Sequence, residues 1–459
     1  MFRVDHRVKP FNDIPLLPGG RPVLGHLMDF RDDPLGMFER ARQECGDRVR
    51  TQIANRKVLF VFAPEDVQHI LINNPTNYEK ATRGYSLVRV LLKQGVLTAE
   101  GPHWRKQRRT LQPAFHRRAI ETFAEAMVDA ASEVVADWSL VADTPQDVDV
   151  HHAMNRLTLR VICEVLFGKG IGARAAVVDR ELTALLHGFD HMVTAPWPLP
   201  QYVPTPHALR FHLARFRLYR VVDAVIAERR ASGAEHPDLL GMLMAARDEE
   251  TGEAMSDEQL RMEVLTLILA GHETTANALA WTLMILSQEP EAAARLEAEV
   301  DRVLGDRRAT LADYAALEET DRVLREAMRL HPPAWLMSRA SIGPDVIGGH
   351  HIPAGTFVFM CQHTIQRHPD LYEDPDRFDP DRWLPERAKR RAKLAYFPFG
   401  AGQRKCIGEQ MAWMESRLVL ATLVQNYRFT LVEGHPTTPE TSVTLRPKHG
   451  LRMRLEKRG

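Results

Sequence analysis

At 459 residues the chain exceeds the usual single-domain size, so one large core or two fused subregions are expected. Hydrophobic residues make up 44% and charged residues 26%, an ordinary balance for a globular chain, and 60 basic residues offset 60 acidic ones, which argues against a generic nucleic-acid binder. The four cysteines, at 45, 163, 361 and 406, form no Cys-x-x-Cys pair, so neither a zinc knuckle nor a disulfide framework is suggested, and a reducing cytoplasm fits.

In chain order, the N-terminus lacks the apolar run of a signal peptide, and no stretch reaches the ~18–20 apolar residues that span a bilayer, so no membrane anchor is expected. After a Pro/Gly-rich opening, residues near 48–62 alternate and end in the apolar run Val58–Phe62, which reads as a strand pair. Pro64 then starts a short helix. From about 100 to 330 helical periodicity dominates, broken at 196–206 and near His236-Pro237. Strand-like pieces occupy 331–363, an irregular acidic and proline-rich stretch covers 369–386, and a long helix and a short β-like tail close the chain. The pattern predicts a mainly α fold with a minor β region in one domain, 1–459. Its β-rich subregion is about 45–65 plus 331–363, and its helical body about 66–330 and 397–426.

Ser256-Asp-Glu-Gln259 is a capping box, and the helix it opens is predicted to run to Gln288, ~50 Å at 1.5 Å per residue. Its apolar middle, Val264 to Ala270, implies burial on all sides. Into this falls Ala270-Gly-His-Glu-Thr-Thr275, although a mid-helix glycine alone costs ~1 kcal/mol against alanine. Rule-breaking at a buried position marks function more often than neglect.

A second unusual stretch is Phe399-Gly-Ala-Gly-Gln-Arg-Lys-Cys-Ile-Gly408. It sets Cys406 before the start of a helix, where unpaired N–H groups and the helix dipole favour a thiolate. Gly402 can turn the loop through positive φ, Gly408 lets a large flat group approach, and Arg404 offers a fork of donors to a carboxylate. A thiolate, a flat ligand and a carboxylate-binding arginine together describe a haem bound through sulfur. Elsewhere Glu326 and Arg329 are three apart on one helix face, and Trp104 and Arg108 are four apart on another.

The ten-residue loop matches the haem-binding motif of the cytochrome P450 family, Phe-x-x-Gly-x-Arg-x-Cys-x-Gly, at every fixed position, and the resemblance covers essentially the whole chain. It implies the family's fold, a triangular helical body with a long central helix and small β-sheets. It also implies haem b (iron protoporphyrin IX) with Cys406 as the axial iron ligand, in surroundings that include Phe399 and Gly271. Arg404, Arg339, Trp104 and Arg108 would hold the propionates. Ala270–Thr274 resembles the oxygen-activation motif, in which Thr274 would hold water beside the reacting oxygen and Glu273 would relay protons from solvent. Glu326-x-x-Arg329 and Phe378-Asp-Pro-Asp-Arg382-Trp383 resemble the family's structural pair of motifs, with Asp381 and Trp383 as departures that keep the chemical type. Glu326, Arg329 and Arg382 would interlock to hold the cysteine loop.

The resemblance therefore implies a haem-thiolate monooxygenase that inserts one atom of O2 into a C–H or C=C bond. The chain shows no Gly-x-Gly-x-x-Gly nucleotide motif, so a ferredoxin and ferredoxin reductase are the expected electron donors. Arg105, Lys106, Arg109, Arg117, Arg118 and Lys405 are candidates for steering such an acidic partner or, alternatively, a solvated basic face, with Arg105 and Arg109 expected to face solvent. Apolar segments that would line the pocket, Tyr85 to Leu97 and Pro332 to Met337, with Thr194–Pro200 as part of a lid, favour a compact hydrophobic substrate. Sequence around Glu326–Leu330 and 365–387 is similar to bacterial sesquiterpene-oxidising members, which favours a terpenoid; a steroid, fatty acid or macrolide is the alternative substrate. The competing readings are a peroxide-using haem-thiolate enzyme, whose relatives usually lose the acid–alcohol pair kept here, and a haem sensor or carrier.

Overall fold

A computed structural model of the chain describes residues 8–168, 174–194 and 205–458. They divide into two compact units, Met1–Ser86 with Met328–Cys406, and Leu87–Ala327 with Ile407–Gly459.

The first unit is built on a five-stranded sheet. Arg48–Ile53 and Arg56–Val61 form the predicted antiparallel pair, joined at Ala54, which takes a positive φ of 51°. Arg56–Val61 then pairs in parallel with Phe357–Cys361, and both strands are buried apolar runs, as a strand covered on two faces requires. Leu336–Ser341 and the short Tyr78–Glu79 complete the sheet, and Asp345–Ile347 with His350–Ile352 makes a small hairpin. The helix Pro34–Cys45 starts cleanly, with proline in its first turn and the Asp33 carboxylate accepting from the Gly36 N–H at 2.9 Å. It buries Phe38 against Phe60 (centroids 4.5 Å apart), and Phe60 stacks on Phe359 at 6.0 Å.

The second unit is helical around Asp257–Leu286. Both arms of the predicted capping box form: Ser256 Oγ accepts from the Gln259 N–H and Gln259 Oε1 from the Ser256 N–H. The helix stops two residues before the predicted Gln288, because Gln288 closes a tighter turn onto Ile285 O. Its principal neighbour is the helix Val150–Phe167. A β-carbon added at Gly271 would lie 3.2 Å from Ile162 Cδ1, so glycine is what permits the close approach of the two helices. A three-stranded sheet (148–149, 452–457, 427–431) and a two-stranded ribbon (Pro439–Thr441 with Leu445–Pro447) lie in the same unit. Among the described residues no helix is long and apolar enough to cross a membrane. Of the sequence segment Thr194–Pro200, residues 195–200 lie outside the described residues.

Burial in the second unit extends to carboxyl groups. Glu263, on the central helix, is fully buried, and Oε2 accepts from the Val96 N–H at 3.0 Å. Burial pushes its pKa up to about 8 in spite of that bond, so the folded chain carries it as the neutral acid. Ionisation in the unfolded chain begins in the ordinary glutamate range. Stability is therefore expected to fall as pH rises from there towards 8, by up to about 1.4 kcal/mol per pH unit. Glu263→Gln keeps the acceptor and is expected to remove that slope in urea titrations across the window. A slope that survives the substitution would show that Glu263 is ionised in the fold.

Candidate active site

Cys406 lies in the first unit at the end of a loop shaped by glycine. Gly400 and Gly402 both take positive φ, 71° and 67°. A β-carbon at Gly402 would sit 2.0 Å from the carbonyl oxygen of Leu71, so the loop packs directly on that backbone. The Cys406 N–H donates to Phe399 O at 2.9 Å, which closes the loop between the first and eighth positions of the motif. Gly408 caps the helix Glu409–Asn426, and nothing lies within 4 Å of where its β-carbon would be. Among the four cysteines only Cys406 is exposed. Burial raises the thiol pKa of Cys163 to about 12 and of Cys361 to about 11, and also raises that of Cys45, which suits all three to the thiol form.

What precedes the loop is held by side chains. Arg329 is fully buried and donates to three carbonyls, Gln366 O (2.9 Å), Pro375 O (2.6 Å) and Arg377 O (3.1 Å), with its guanidinium over the Tyr372 ring. Arg382, also buried, donates to Asp374 O at 2.8 Å. The two arginines thus meet on one irregular stretch, 366–377. That stretch in turn grips the approach to the loop: Gln366 Oε1 accepts from the Phe397 N–H and Tyr372 Oη donates to Ala395 O, while Gln362, just ahead of it, donates through Nε2 to Phe397 O. Glu326 shares the helix Glu318–Leu330 with Arg329 and is fully buried as well. Arg339, on Leu336–Ser341, is 3% exposed, with Nη1 on Ser338 O at 2.8 Å; Arg404 is half-buried. Met337, expected near substrate, packs against the loop, since a β-carbon at Gly400 would be 3.3 Å from its methyl.

In the second unit the central helix opens where the motif falls. Residues on both sides are buried, yet Ala270 is exposed and Leu269, Gly271 and Thr274 are half-buried. Thr274 Oγ1 donates to Ala270 O at 2.7 Å, and Thr158, from the neighbouring helix, donates to His272 O at 3.0 Å. Two carbonyls of one turn thus take side-chain donors. Ala270 is the exposed residue of this turn, while the missing side chain at Gly271 makes room for Ile162. His272 is buried, and burial pushes its pKa down to about 4, so it is the neutral imidazole. Glu273 is buried and faces Arg446, Oε1 to Nη1 3.7 Å. Trp104 is buried and Arg108 half-buried on one face of the helix Gly101–Leu111.

The basic residues of the candidate face differ in how they are engaged. Arg109 was expected to face solvent; it instead pairs with Asp248 (2.6 Å), whose carboxylate is fully buried, and with Glu250 (2.6 Å). Lys106 pairs with Glu253, and Arg117 with Glu121 one turn on. Arg105, Arg118 and Lys405 are exposed. Sequence reasoning missed Arg446 and the buried acceptor Glu263, because their partners are 173 and 167 residues distant and no local pattern announces them.

The donor set fits an iron porphyrin with two carboxylates. Cys406 offers sulfur at an accessible position, and the arginines offer planar forks. At Gly402 the loop tolerates little change. Gly402→Ala is expected to cost about 2–4 kcal/mol, from positive φ plus a backbone clash, whereas Gly434→Ala, at φ 73° with open space around it, should cost about 1 kcal/mol. Thermal denaturation of the two variants checks this; equal losses would mean that the contact with Leu71 does not constrain the loop.

The family model described as "Cytochrome P450" matches residues 15–453. The chain is 35% identical to the cyclooctat-9-en-7-ol 5-monooxygenase of Streptomyces melanosporofaciens, over 91% of this chain and 90% of that protein. It is 32% identical to the pentalenene oxygenase of Streptomyces avermitilis, over 96% and 97% respectively. Among solved structures it is similar to the cytochrome P450DA heme domain, with a TM-score of 0.89 and 31% identity over 98% of each chain. With a cysteine loop, a central helix that keeps one exposed turn and this similarity along its length, the chain belongs to the cytochrome P450 family and is a haem b-dependent monooxygenase.

Proposed function

We propose that residues 1–459 act as one cytochrome P450 domain that hydroxylates or epoxidises a compact hydrophobic substrate, a terpenoid in particular, with Cys406 as the axial iron ligand. The observation that carries the reading is the exposure of Cys406 on a tightly packed glycine loop, while Cys163 and Cys361 are buried and Cys45 is half-buried. When bound, a haem with a thiolate ligand supplies O2 activation and O–O cleavage. The residues of the chain do the rest. Arg339, Arg404, Arg108 and Trp104 hold the propionates, and Phe399 and Gly271 belong to the surrounding walls. Glu326, Arg329 and Arg382 keep the loop in place.

Thr274 keeps its hydroxyl at the open turn beside Ala270 and holds water there, and Glu273 moves protons to it from the Arg446 side. Substrate size and polarity follow from the apolar segments Tyr85–Leu97 and 332–337, in which Val88, Leu91, Leu92, Val96 and Trp335 are buried. The names of the two relatives denote an alkene alcohol and an alkene, in keeping with that polarity. A ferredoxin with its reductase is the proposed electron source, supported by exposed Arg105, Arg117 and Arg118. Four cysteines spaced far apart, at 45, 163, 361 and 406, support a cytoplasmic location.

The test begins with absorption spectra of the dithionite-reduced protein under carbon monoxide, wild type beside Cys406→Ala. A strongly red-shifted Soret band that the variant loses is expected; a band typical of histidine ligation would remove Cys406 from the iron. Thr274→Ala should then retain haem and consume reducing equivalents at a comparable rate while releasing hydrogen peroxide in place of product, with turnover to product lower by about 10²-fold. Coupling equal to wild type would overturn the roles given to Thr274 and Glu273.

A further inference from the structure

The helix Pro206–Ser232 is apolar on two sides. It starts cleanly, with proline in its first turn and Thr205 Oγ1 accepting from the Ala208 N–H at 3.1 Å. Its inner side buries Phe211, Ala214, Leu218, Val222 and Ile226, which accounts for its packing. On the outer side Leu209, Leu213 and Phe216, spaced four and three residues apart, share one face and are 59%, 44% and 58% exposed. Large apolar side chains exposed singly need no explanation, but among the described residues no other helix carries more than one.

Basic residues share that outer face. From Thr205 to Val222 the chain has four arginines and no Asp or Glu. Arg215 turns inward, with Nη1 on Val90 O at 2.8 Å, whereas Arg210, Arg217 and Arg220 are exposed. Arg217 reaches the buried Glu181 at 3.5 Å and its side chain is still more than half exposed. The Arg220 guanidinium lies 5.9 Å from the centroid of the Phe216 ring, so a cation and an apolar ring stand side by side. The first acid along the helix, Asp223, is taken up by Arg261 at 2.8 Å. The chain as a whole carries no net charge, so this excess of positive charge is local.

A purely acidic partner would answer the arginines and leave the three apolar side chains in water. A second copy of the same face would cover those side chains but set arginines against arginines. An anionic bilayer surface answers both, because phosphates meet the guanidinium groups while apolar side chains enter the boundary between headgroups and acyl chains.

We propose that the outer face of the helix Pro206–Ser232 docks the protein on a bilayer that contains anionic phospholipid. Leu209, Leu213 and Phe216 enter the interface, and Arg210, Arg217 and Arg220 pair with headgroup phosphates. The contact is peripheral, since among the described residues no helix is long and apolar enough to cross a membrane. On its inner edge the same helix grips a segment proposed to line the substrate pocket: Arg215 donates to Val90 O, and Tyr219 Oη to Leu91 O at 2.8 Å. A hydrophobic substrate concentrates in the lipid on which that helix sits. This consequence rests on the hydrophobic-substrate reading; the docking itself does not.

The test is co-sedimentation of the haem-loaded full chain with vesicles of phosphatidylcholine, alone or mixed with phosphatidylglycerol. Binding to the mixed vesicles should exceed binding to phosphatidylcholine by about 10²-fold, at roughly fivefold for each arginine near the surface. Leu213→Gln with Phe216→Gln, helix-forming replacements at exposed positions, should weaken that binding about tenfold or more. Arg210→Gln with Arg220→Gln should weaken it about 25-fold. Both variants should keep the haem and the carbon monoxide spectrum of wild type, which shows that they fold. No binding of wild type to the mixed vesicles overturns the proposal. Binding that survives the Leu213 and Phe216 substitutions also overturns it, since ion adsorption alone would then account for it. A wild type that ignores vesicles but forms a dimer, made monomeric by those two substitutions, assigns the face to a second copy instead.

Discussion

Backbone carbonyls without a ladder partner are the constraint on which the first unit turns. The stretch 366–377 has almost no regular structure and is anchored by its buried residues Gln366, His368 and Tyr372, and a buried carbonyl left unpaired costs about 1–3 kcal/mol. One guanidinium, that of Arg329, donates to three carbonyls of this stretch, and Arg382 adds a second donor to Asp374 O, which also accepts from the Arg377 N–H. An irregular segment held at four points is as stiff as a strand, and it can carry position onward. Gln366 and Tyr372, with Gln362 beside them, pass that stiffness to 395–397, and the glycine loop passes it to Cys406. The backbone of Cys406 is thereby held in place while its thiol stays exposed.

The second unit meets the opposite demand: a helix buried along most of its 30 residues must still present one open turn. It does so by dividing labour among small residues. Gly271 brings the neighbouring helix close through Ile162, and that contact anchors the turn on one side. Ala270 provides the opening, and the Thr274 hydroxyl takes the carbonyl of Ala270. Behind the turn, Asn277 and Trp281 fix a ribbon, so the charge of Arg446 reaches Glu273 from a defined direction. Polar groups deep in this unit, Glu263 and His272 among them, stay neutral because desolvation outweighs what their few partners return.

Residues that act over short sequence distances were legible before any coordinates. The capping box at Ser256, the strand pair at 48–61, the cysteine loop and the Ala270–Thr275 break each combine spacing with residue chemistry, and local geometry follows from both. Local pattern also located Arg329 and Arg382, although only as members of a charge motif. That both end on backbone carbonyls of 366–377 lies outside what an i,i+3 spacing can say.

The sequence by itself determined the family and the cofactor chemistry, because the motif that carries both lies within ten residues. Tertiary structure alone decided which charges are engaged. Arg109 found Asp248 at a separation of 139 residues, Glu263 found the Val96 amide, and Arg446 was divided between Glu440 and Glu273. Coulomb and hydrogen-bond energies depend on distance in space and on burial, and one-dimensional spacing records neither once the chain has closed loops of a hundred residues.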